Sequence, residues 1–342
     1  MDKRIIFAVA GSGKTSLIIE KLTLEKRSLL ITYTENNFIN LRKKIINKFG
    51  YFPDNIQVYS YFTFLYSFCY KPFLAFEVNA KGINWEQRLP MYERVTSPKH
   101  YMDSYGRLYH ARIAKLFKQM NILDDINKRL EKYYDNLFID EVQDFAGNDF
   151  NFLGSMCQSN INITLVGDYF QHTFDTSRDG VTNKNLHADY QKYKDKFSTV
   201  GLRVDVETLS NSYRCSPTIC SFISSSIGID ISSHREDVKS IELIEKPERI
   251  DELMKCSNTV KLFYQSHQKY QCYSNNWGAS KGEDHYTDVC VILNNTTLKK
   301  FNSKKLEELV PQTKNKLYVA CSRAKGNLYF IAENTLKNYK QN

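Results

Sequence analysis

Short apolar runs recur along the chain, and several are followed by a segment whose apolar residues have helical spacing. Residues 5–9 precede such a segment at 14–25, and residues 29–32 precede one at 37–49. Further runs that fit buried strands lie at 136–139, 163–167, 204–209, 260–264, 289–293 and 328–332. A strand covered by helices on both faces reads as a continuous apolar run. Such strands alternating with helices predict an α/β fold with parallel sheets flanked by helices. Two stretches break the rhythm. Residues 60–135 are rich in aromatics and helix formers without a clear strand series, which predicts a helical insertion. Residues 228–258 are charged and helical in pattern, between two strand runs. The polar run at 192–198 precedes a fresh series of strands and predicts a boundary near residue 200.

Composition narrows the class. Of 342 residues, 42% are hydrophobic and 25% charged, with only 14 Gly and 7 Pro. That excludes a disordered or fibrous chain, and the length predicts two compact domains with separate cores. No apolar run approaches the roughly 18 residues of a membrane-spanning helix. The first apolar run ends at Gly11-Ser12-Gly13-Lys14, unlike a signal peptide with its small-residue cleavage site. A soluble, cytoplasmic protein without a membrane partner is expected. The eight cysteines contain no C-x-x-C pair, so they are expected to be small core residues in a reducing compartment. A net charge of +9 points to a polyanionic partner.

The candidate chemistry begins at Ala8-Val9-Ala10-Gly11-Ser12-Gly13-Lys14-Thr15, after a predicted strand and at the start of a predicted helix. Glycines there let backbone N–H groups close around phosphate oxygens. The predicted nucleotide contacts are Ala10, Gly11, Ser12, Gly13, Lys14, Thr15 and Ser16, with Lys14 reaching the β- and γ-phosphates. The Thr15 hydroxyl would bind Mg²⁺. Ala8 stands where the strict pattern has a first glycine. A nucleoside triphosphate site also needs a carboxylate at the end of another core strand. Leu137-Phe138-Ile139-Asp140-Glu141 supplies it, with Asp140 for Mg²⁺ and Glu141 as general base toward water.

Together with Val142-Gln143-Asp144, these two segments resemble motifs I and II of the UvrD/Rep-like superfamily 1 DNA helicases. Other segments follow in that family's order. Ile31-Thr32-Tyr33-Thr34 resembles motif Ia, and Leu165-Val166-Gly167-Asp168-Tyr169-Phe170-Gln171 resembles motif III. Leu209 with Ser212-Tyr213-Arg214 resembles motif IV, Ser280-Lys281-Gly282 motif V, and residues 317–324 motif VI. The resemblance implies two RecA-like P-loop domains with a small helical insertion, and ATP hydrolysed with Mg²⁺ at the cleft between them. It assigns residues 1–59 plus 136–200 to the ATP-binding domain 1A, 60–135 to a 1B-like insertion, and 201–342 to domain 2A. Arg214 and Arg323 match the arginine fingers, Gln171 the γ-phosphate sensor, and Tyr213 the aromatic that stacks on the base. Tyr33, Thr34, Ser60, Tyr61, Phe174, Asn276 and Lys281 fall where the family contacts single-stranded DNA. The aromatic stretch 59–66 reads equally as strand contact and as an ordinary core helix.

Several positions depart from that family. The upstream glutamine that reads adenine has no room before Ala8, and Thr176 replaces a second stacking aromatic. Asn276 and Gly278 stand where Thr and His are usual, and the acid after Lys281-Gly282 is either Glu283 or Asp284, both candidate nucleotide contacts. The stretch from Arg214 to Lys281 is too short for a large 2B subdomain. The resemblance therefore implies a short-form ATP-dependent translocase or helicase acting on single-stranded DNA or tailed duplex. The alternative is an ATP-dependent regulatory or DNA-sensing subunit working with a partner nuclease. The helicase-like subunit of Gabija-type antiviral defence systems belongs to the same broad family.

Overall fold

The computed structural model describes residues 1–86, 89–90, 92–173 and 175–340. The chain divides into two compact units. The first takes Met1–Phe7, Lys14–Gly167 and Phe174–Asp205; the second takes Ala8–Gly13, Asp168–Thr173 and Val206–Asn342. Both are α/β, and every ladder between their strands is parallel among the described residues.

The first unit contains β1 (Lys3–Phe7), β2 (Ser28–Thr32), β3 (Ile56–Ser60), β4 (Gly82–Asn84), β5 (Arg107–Tyr109), β6 (Asn136–Ile139), β7 (Asn162–Gly167) and β8 (Arg203–Asp205). Six of these form one sheet in the order β3-β2-β6-β7-β1-β8. All five residues of β2 are buried, as a central strand between two helix layers requires. Each large aliphatic side chain so buried stabilises the fold by roughly 1.5–3 kcal/mol. Phe7 packs edge-on to Tyr193 and Phe197 of the helix Tyr190–Thr199. Because β8 pairs with β1, the first unit runs past the boundary expected near residue 200.

Helix α1 (Lys14–Glu20) stops short of the expected residue 25. Lys48, from α2 (Glu35–Phe49), donates to the carbonyls of Ile19, Glu20 and Leu22 at 2.8, 3.1 and 2.7 Å. Those carbonyls would otherwise be left open at a helix end, and the ammonium satisfies them from a distant part of the chain. Strand β3 escaped the sequence reading, being an edge strand with only Ile56 and Val58 buried. Residues 60–135 are largely helical, with a π-helical turn at Phe64–Tyr70, but they also contain the parallel pair β4-β5.

The second unit contains β9 (Asn211–Ser212), β10 (Ser232–Ser233), β11 (Ile241–Leu243), β12 (Thr259–Phe263), β13 (Ser274–Asn276), β14 (Asp288–Leu293) and β15 (Leu328–Ala332). A five-stranded sheet runs β11-β15-β14-β12-β13, and β9 pairs with β10. Its two faces are separate apolar cores. Val289, Val291, Leu328 and Phe330 pack on one side with Ile219 and Leu317 from helices. Cys290, Ile292, Tyr329 and Ile331 pack on the other with Ile250, Leu253 and Met254 from the helix Pro247–Lys255. Residues 228–258, expected to be helical, hold only that one helix. Gly228 ends the preceding turn at φ 70°, and buried Ile229 and Ile231 then alternate with exposed residues at strand spacing. Six of the eight cysteines are buried. Among the described residues, no helix is long and apolar enough to cross a membrane.

One buried acid stands out in the first unit. Asp149, in the helix Gly147–Met156, is fully enclosed, and neither carboxylate oxygen has a hydrogen-bond partner. Tyr61, Thr176 and Ser177 are the hydroxyl-bearing neighbours, but burial dominates and pushes the carboxyl up to about 7. An acid raised in the folded state stabilises it below the unfolded-state value near 4, and that contribution is lost as pH rises through about 7. Asp149→Asn is therefore expected to raise the thermal midpoint at pH 8 and to narrow its advantage toward pH 5. The full effect is bounded at about 4 kcal/mol. Midpoints of both proteins across pH 4–8 check this, and a variant less stable throughout would contradict it.

Candidate nucleotide and strand site

In the first unit, Lys14 and Thr15 open α1 and Asp140 follows the last residue of β6. The Thr15 hydroxyl donates to Asp140 Oδ2 at 3.4 Å across 125 positions of sequence. A hydroxyl and a carboxylate so placed are the hard oxygen donors that suit Mg²⁺. Asp140 Oδ1 also accepts the Glu141 N–H at 2.9 Å. Glu141 has φ 57°, left-handed backbone that a non-glycine residue adopts at a cost of about 1–2 kcal/mol. That turn brings Glu141 Oε2 to Gln143 Nε2, which donates at 2.5 Å. A Cβ on Gly167 would lie 2.5 Å from Gln143 Oε1 and 2.6 Å from Val142 Cγ1, so the end of β7 must be glycine for this turn to fit. Ser16 is exposed.

In the second unit, the loop Ala8–Gly13 is held by backbone and by one tyrosine. Val9 N–H donates to Leu209 O at 3.0 Å, which explains why β1 ends two residues before the predicted run does. Ser12 is buried and donates to Val9 O at 2.8 Å. Gly11 has φ 72°, and a Cβ there would sit 2.6 Å from Arg214 Cβ and 2.8 Å from Ser212 Oγ. The Gly11 carbonyl accepts the Tyr213 N–H at 2.9 Å. Buried Ala10 donates its N–H to Tyr318 Oη at 2.8 Å, and Tyr318 donates to Asp168 Oδ2 at 2.9 Å. The same oxygen accepts from Gln171 Nε2 at 2.9 Å. Burial, aided by Asp168, holds the Tyr318 phenol well above its ordinary pKa, so it remains a neutral donor.

Two guanidinium groups are fixed in the same unit. Arg214 Nε donates to Asp284 Oδ1 at 2.8 Å, and its Nη1 donates to Ser322 O at 3.2 Å. Arg323 is buried and donates to the carbonyls of Val319 and Glu283, each at 3.2 Å. Burial and the nearby Arg214 lower Arg323 to about 10, which still leaves it cationic at neutral pH. Of the two acids left open by the sequence, Asp284 meets Arg214, whereas the Glu283 carboxylate lies 3.1 Å from His285. Tyr213 is 65% exposed and stacks on His234 at 4.0 Å and 13°. An added Cβ on Gly13 would touch the same Tyr213 ring at 3.9 Å.

The expected strand contacts divide. Tyr33 is half-buried against the edge of Phe62 at 5.9 Å, and burial with Asp149 and Asp144 pushes its phenol up to about 12. Thr34 Oγ1 caps α2 by accepting the Asn37 N–H at 3.2 Å. Ser60 Oγ pairs with Thr63 Oγ1 at 2.7 Å. Tyr61 is a correction: it is 0% exposed, packed edge-on to Phe145 at 4.7 Å, and has no face to offer a base. Asn276 Oδ1 accepts the His267 N–H at 3.1 Å, and Lys281 is half-buried. Phe174 lies outside the described residues.

Residues 108–332 match the sequence model of the viral superfamily 1 RNA helicase core domain. The chain belongs to this family. The matched part of the helicase core holds Asp140, Glu141, Gln171, Arg214 and Arg323, and begins after the glycine loop. The match names viral RNA helicases and not the UvrD/Rep branch. Among solved structures, an arterivirus nonstructural protein 10 (helicase) in complex with DNA is similar over 96% of this chain and 60% of its own. The identity is 12% and the TM-score 0.49. A crystal structure of arterivirus nonstructural protein 10 (helicase) is similar over 99% and 62%, at 13% identity and a TM-score of 0.48. The chain thus spans less than two thirds of the length of these solved helicases. No curated protein matches it.

Sequence reasoning missed the partnership of Tyr318 with Asp168 in this helicase core. Tyr318 looks like one more apolar residue of a buried helix, and only the acid preceding the Gln171 turn hinted at a polar partner. Tyr318→Phe would leave the buried Ala10 N–H without its acceptor and Asp168 Oδ2 with one donor fewer. A loss of about 1–3 kcal/mol is expected in denaturant unfolding of the full chain. A change below about 0.5 kcal/mol would show that the hydroxyl is dispensable.

Proposed function

We propose that this superfamily 1 helicase is an ATP-driven translocase on single-stranded DNA of the UvrD/Rep type, moving 3′ to 5′ and able to separate tailed duplex. The observation that carries the reading is the meeting of Thr15 with Asp140, with Glu141 held beside them by Gln143. Thr15 and Asp140 would hold Mg²⁺, which when bound neutralises phosphate charge. Lys14 binds the β- and γ-phosphates, and Ala10, Gly11, Ser12, Gly13 and Ser16 surround them. Glu141 accepts a proton from the attacking water at its carboxylate, the role for which a fixed orientation matters most. The family resemblance gives Arg214 and Arg323 the stabilisation of charge on the γ-phosphoryl group, and Gln171 its sensing. Tyr213 stacks on the base, and the Asp284 carboxylate orients Arg214. Tyr33, Thr34, Ser60, Asn276 and Lys281 are assigned to the strand.

A second reading has its own observation. Between Arg214 and Lys281 the chain carries only short strands, turns, the helix Pro217–Phe222 continued by a π-helical turn, and the helix Pro247–Lys255, all inside the second unit, so the large 2B insertion is missing. A regulatory or DNA-sensing subunit of a nuclease-containing defence complex would tolerate that loss, with weak unwinding of its own.

ATP turnover with and without single-stranded DNA, and strand displacement on 3′-tailed, 5′-tailed and blunt duplexes, separate these readings. Lys14→Ala and Arg323→Ala are each expected to lower kcat by about 100-fold or more. ATP turnover that ignores DNA at several salt concentrations would contradict the translocase, because phosphate contacts weaken steeply with salt. Co-purification with a nuclease and negligible unwinding alone would favour the regulatory subunit.

A further inference from the structure

The parallel pair β4-β5 ends in register, with Asn84 opposite Tyr109. One step further along each strand come Trp85 and His110, and their rings stack at 5.9 Å and 24°. His110 is steadied by Nδ1, 3.2 Å from Asn84 O. Beneath them, buried Phe62 meets Trp85 at 4.9 Å and 90°, and His110 at 5.7 Å and 80°. Phe62 also meets Tyr33 at 5.9 Å. Tyr33 follows β2, Phe62 follows β3, and Trp85 and His110 follow β4 and β5. In open parallel sheets, ligands bind outside the carboxyl ends of the strands.

Trp85 is not a core residue, since 59% of it is exposed. Nor is it a loose one, because Phe62 and His110 fix the plane of the indole. A rigid, open π-face is what a base needs, and stacking on it is tolerant of sequence. The net charge of +9 favours a polyanion over other partners with flat apolar rings.

We infer that Trp85, backed by His110 and Phe62, is a base-stacking platform that carries single-stranded nucleic acid from Tyr33 onto the insertion at residues 60–135. The inference rests on the reading of Tyr33 as a strand contact. The chain's two tryptophans are Trp85 and fully buried Trp277, so quenching by a bound base reports on Trp85. Titration of the full chain with oligo-dT and with oligo-rU is expected to quench indole emission, and the quench to vanish in Trp85→Phe. Binding of labelled strand should weaken roughly 5- to 100-fold in Trp85→Ala and stay near wild type in Trp85→Phe. Far-UV circular dichroism and a thermal melt matching wild type certify that each variant is folded, since buried Trp277 lies in the second unit and Trp85 in the first. Strand binding without quenching, and with Trp85→Ala as tight as wild type, would overturn the platform and leave the proposed function standing. If neither strand binds the unaltered chain, both the platform and the proposed function fall.

Discussion

Parallel pairing is the constraint on which the rest of this molecule depends. Parallel neighbours cannot be joined by tight hairpins, so each strand must be followed by a crossover that returns over a sheet face. Every ladder therefore presents its carboxyl ends to one side, and the residues that leave those ends are free of the ladder. Several of the groups assigned to chemistry here sit at such exits. Lys14 lies beyond β1, Tyr33 beyond β2, Asp140 beyond β6, and Tyr213 beyond β9. Asp140 and Thr15 come from distant parts of the sequence and meet because β6, β7 and β1 are neighbours in one sheet.

What the sequence revealed follows from the same constraint. Central strands such as β2 and β14 are buried on both faces, so their apolar runs are continuous and easy to see. The glycine loop and the Asp140-Glu141 pair are contiguous, and contiguous chemistry is legible without coordinates. Edge elements were not. β3 buries two residues of five, β4 and β5 have three residues each, and β10 and β11 lie in a charged stretch whose alternation at Ile229 and Ile231 is brief. The early end of α1 depended on Lys48, whose reach no local pattern encodes.

Side-chain direction was the other blind spot. Of the adjacent aromatics Tyr61 and Phe62 only Tyr61 was expected to meet the nucleic-acid strand, yet it turns onto Phe145 in the core while Phe62 supports exposed rings. Spacing alone also left Glu283 and Asp284 interchangeable. The fold separates them because Arg214 takes Asp284, while the Glu283 backbone carbonyl serves Arg323 and its carboxylate faces His285. Neighbouring acids thus acquire different partners through one reversal of direction along the chain.

The Tyr318 hydroxyl gives the second unit a physical route for communication. It accepts from the glycine loop through Ala10 and donates to Asp168, which also accepts from Gln171. A buried carboxylate shared by several donors cannot lose one without the others adjusting, because an unmet charge in a low-dielectric interior is costly. On the proposed reading, Gln171 responds to the γ-phosphate, so its movement would be felt at Tyr318 and hence at the glycine loop. Tyr318 lies in the helix Pro311–Cys321, five residues before Arg323, so the same adjustment would reach the guanidinium anchored there. Coupling of this kind is reciprocal for binding free energies. A nucleotide that tightens the loop through Ala10 would favour one arrangement at Gln171, and a change at Gln171 would alter the hold on nucleotide by the same factor.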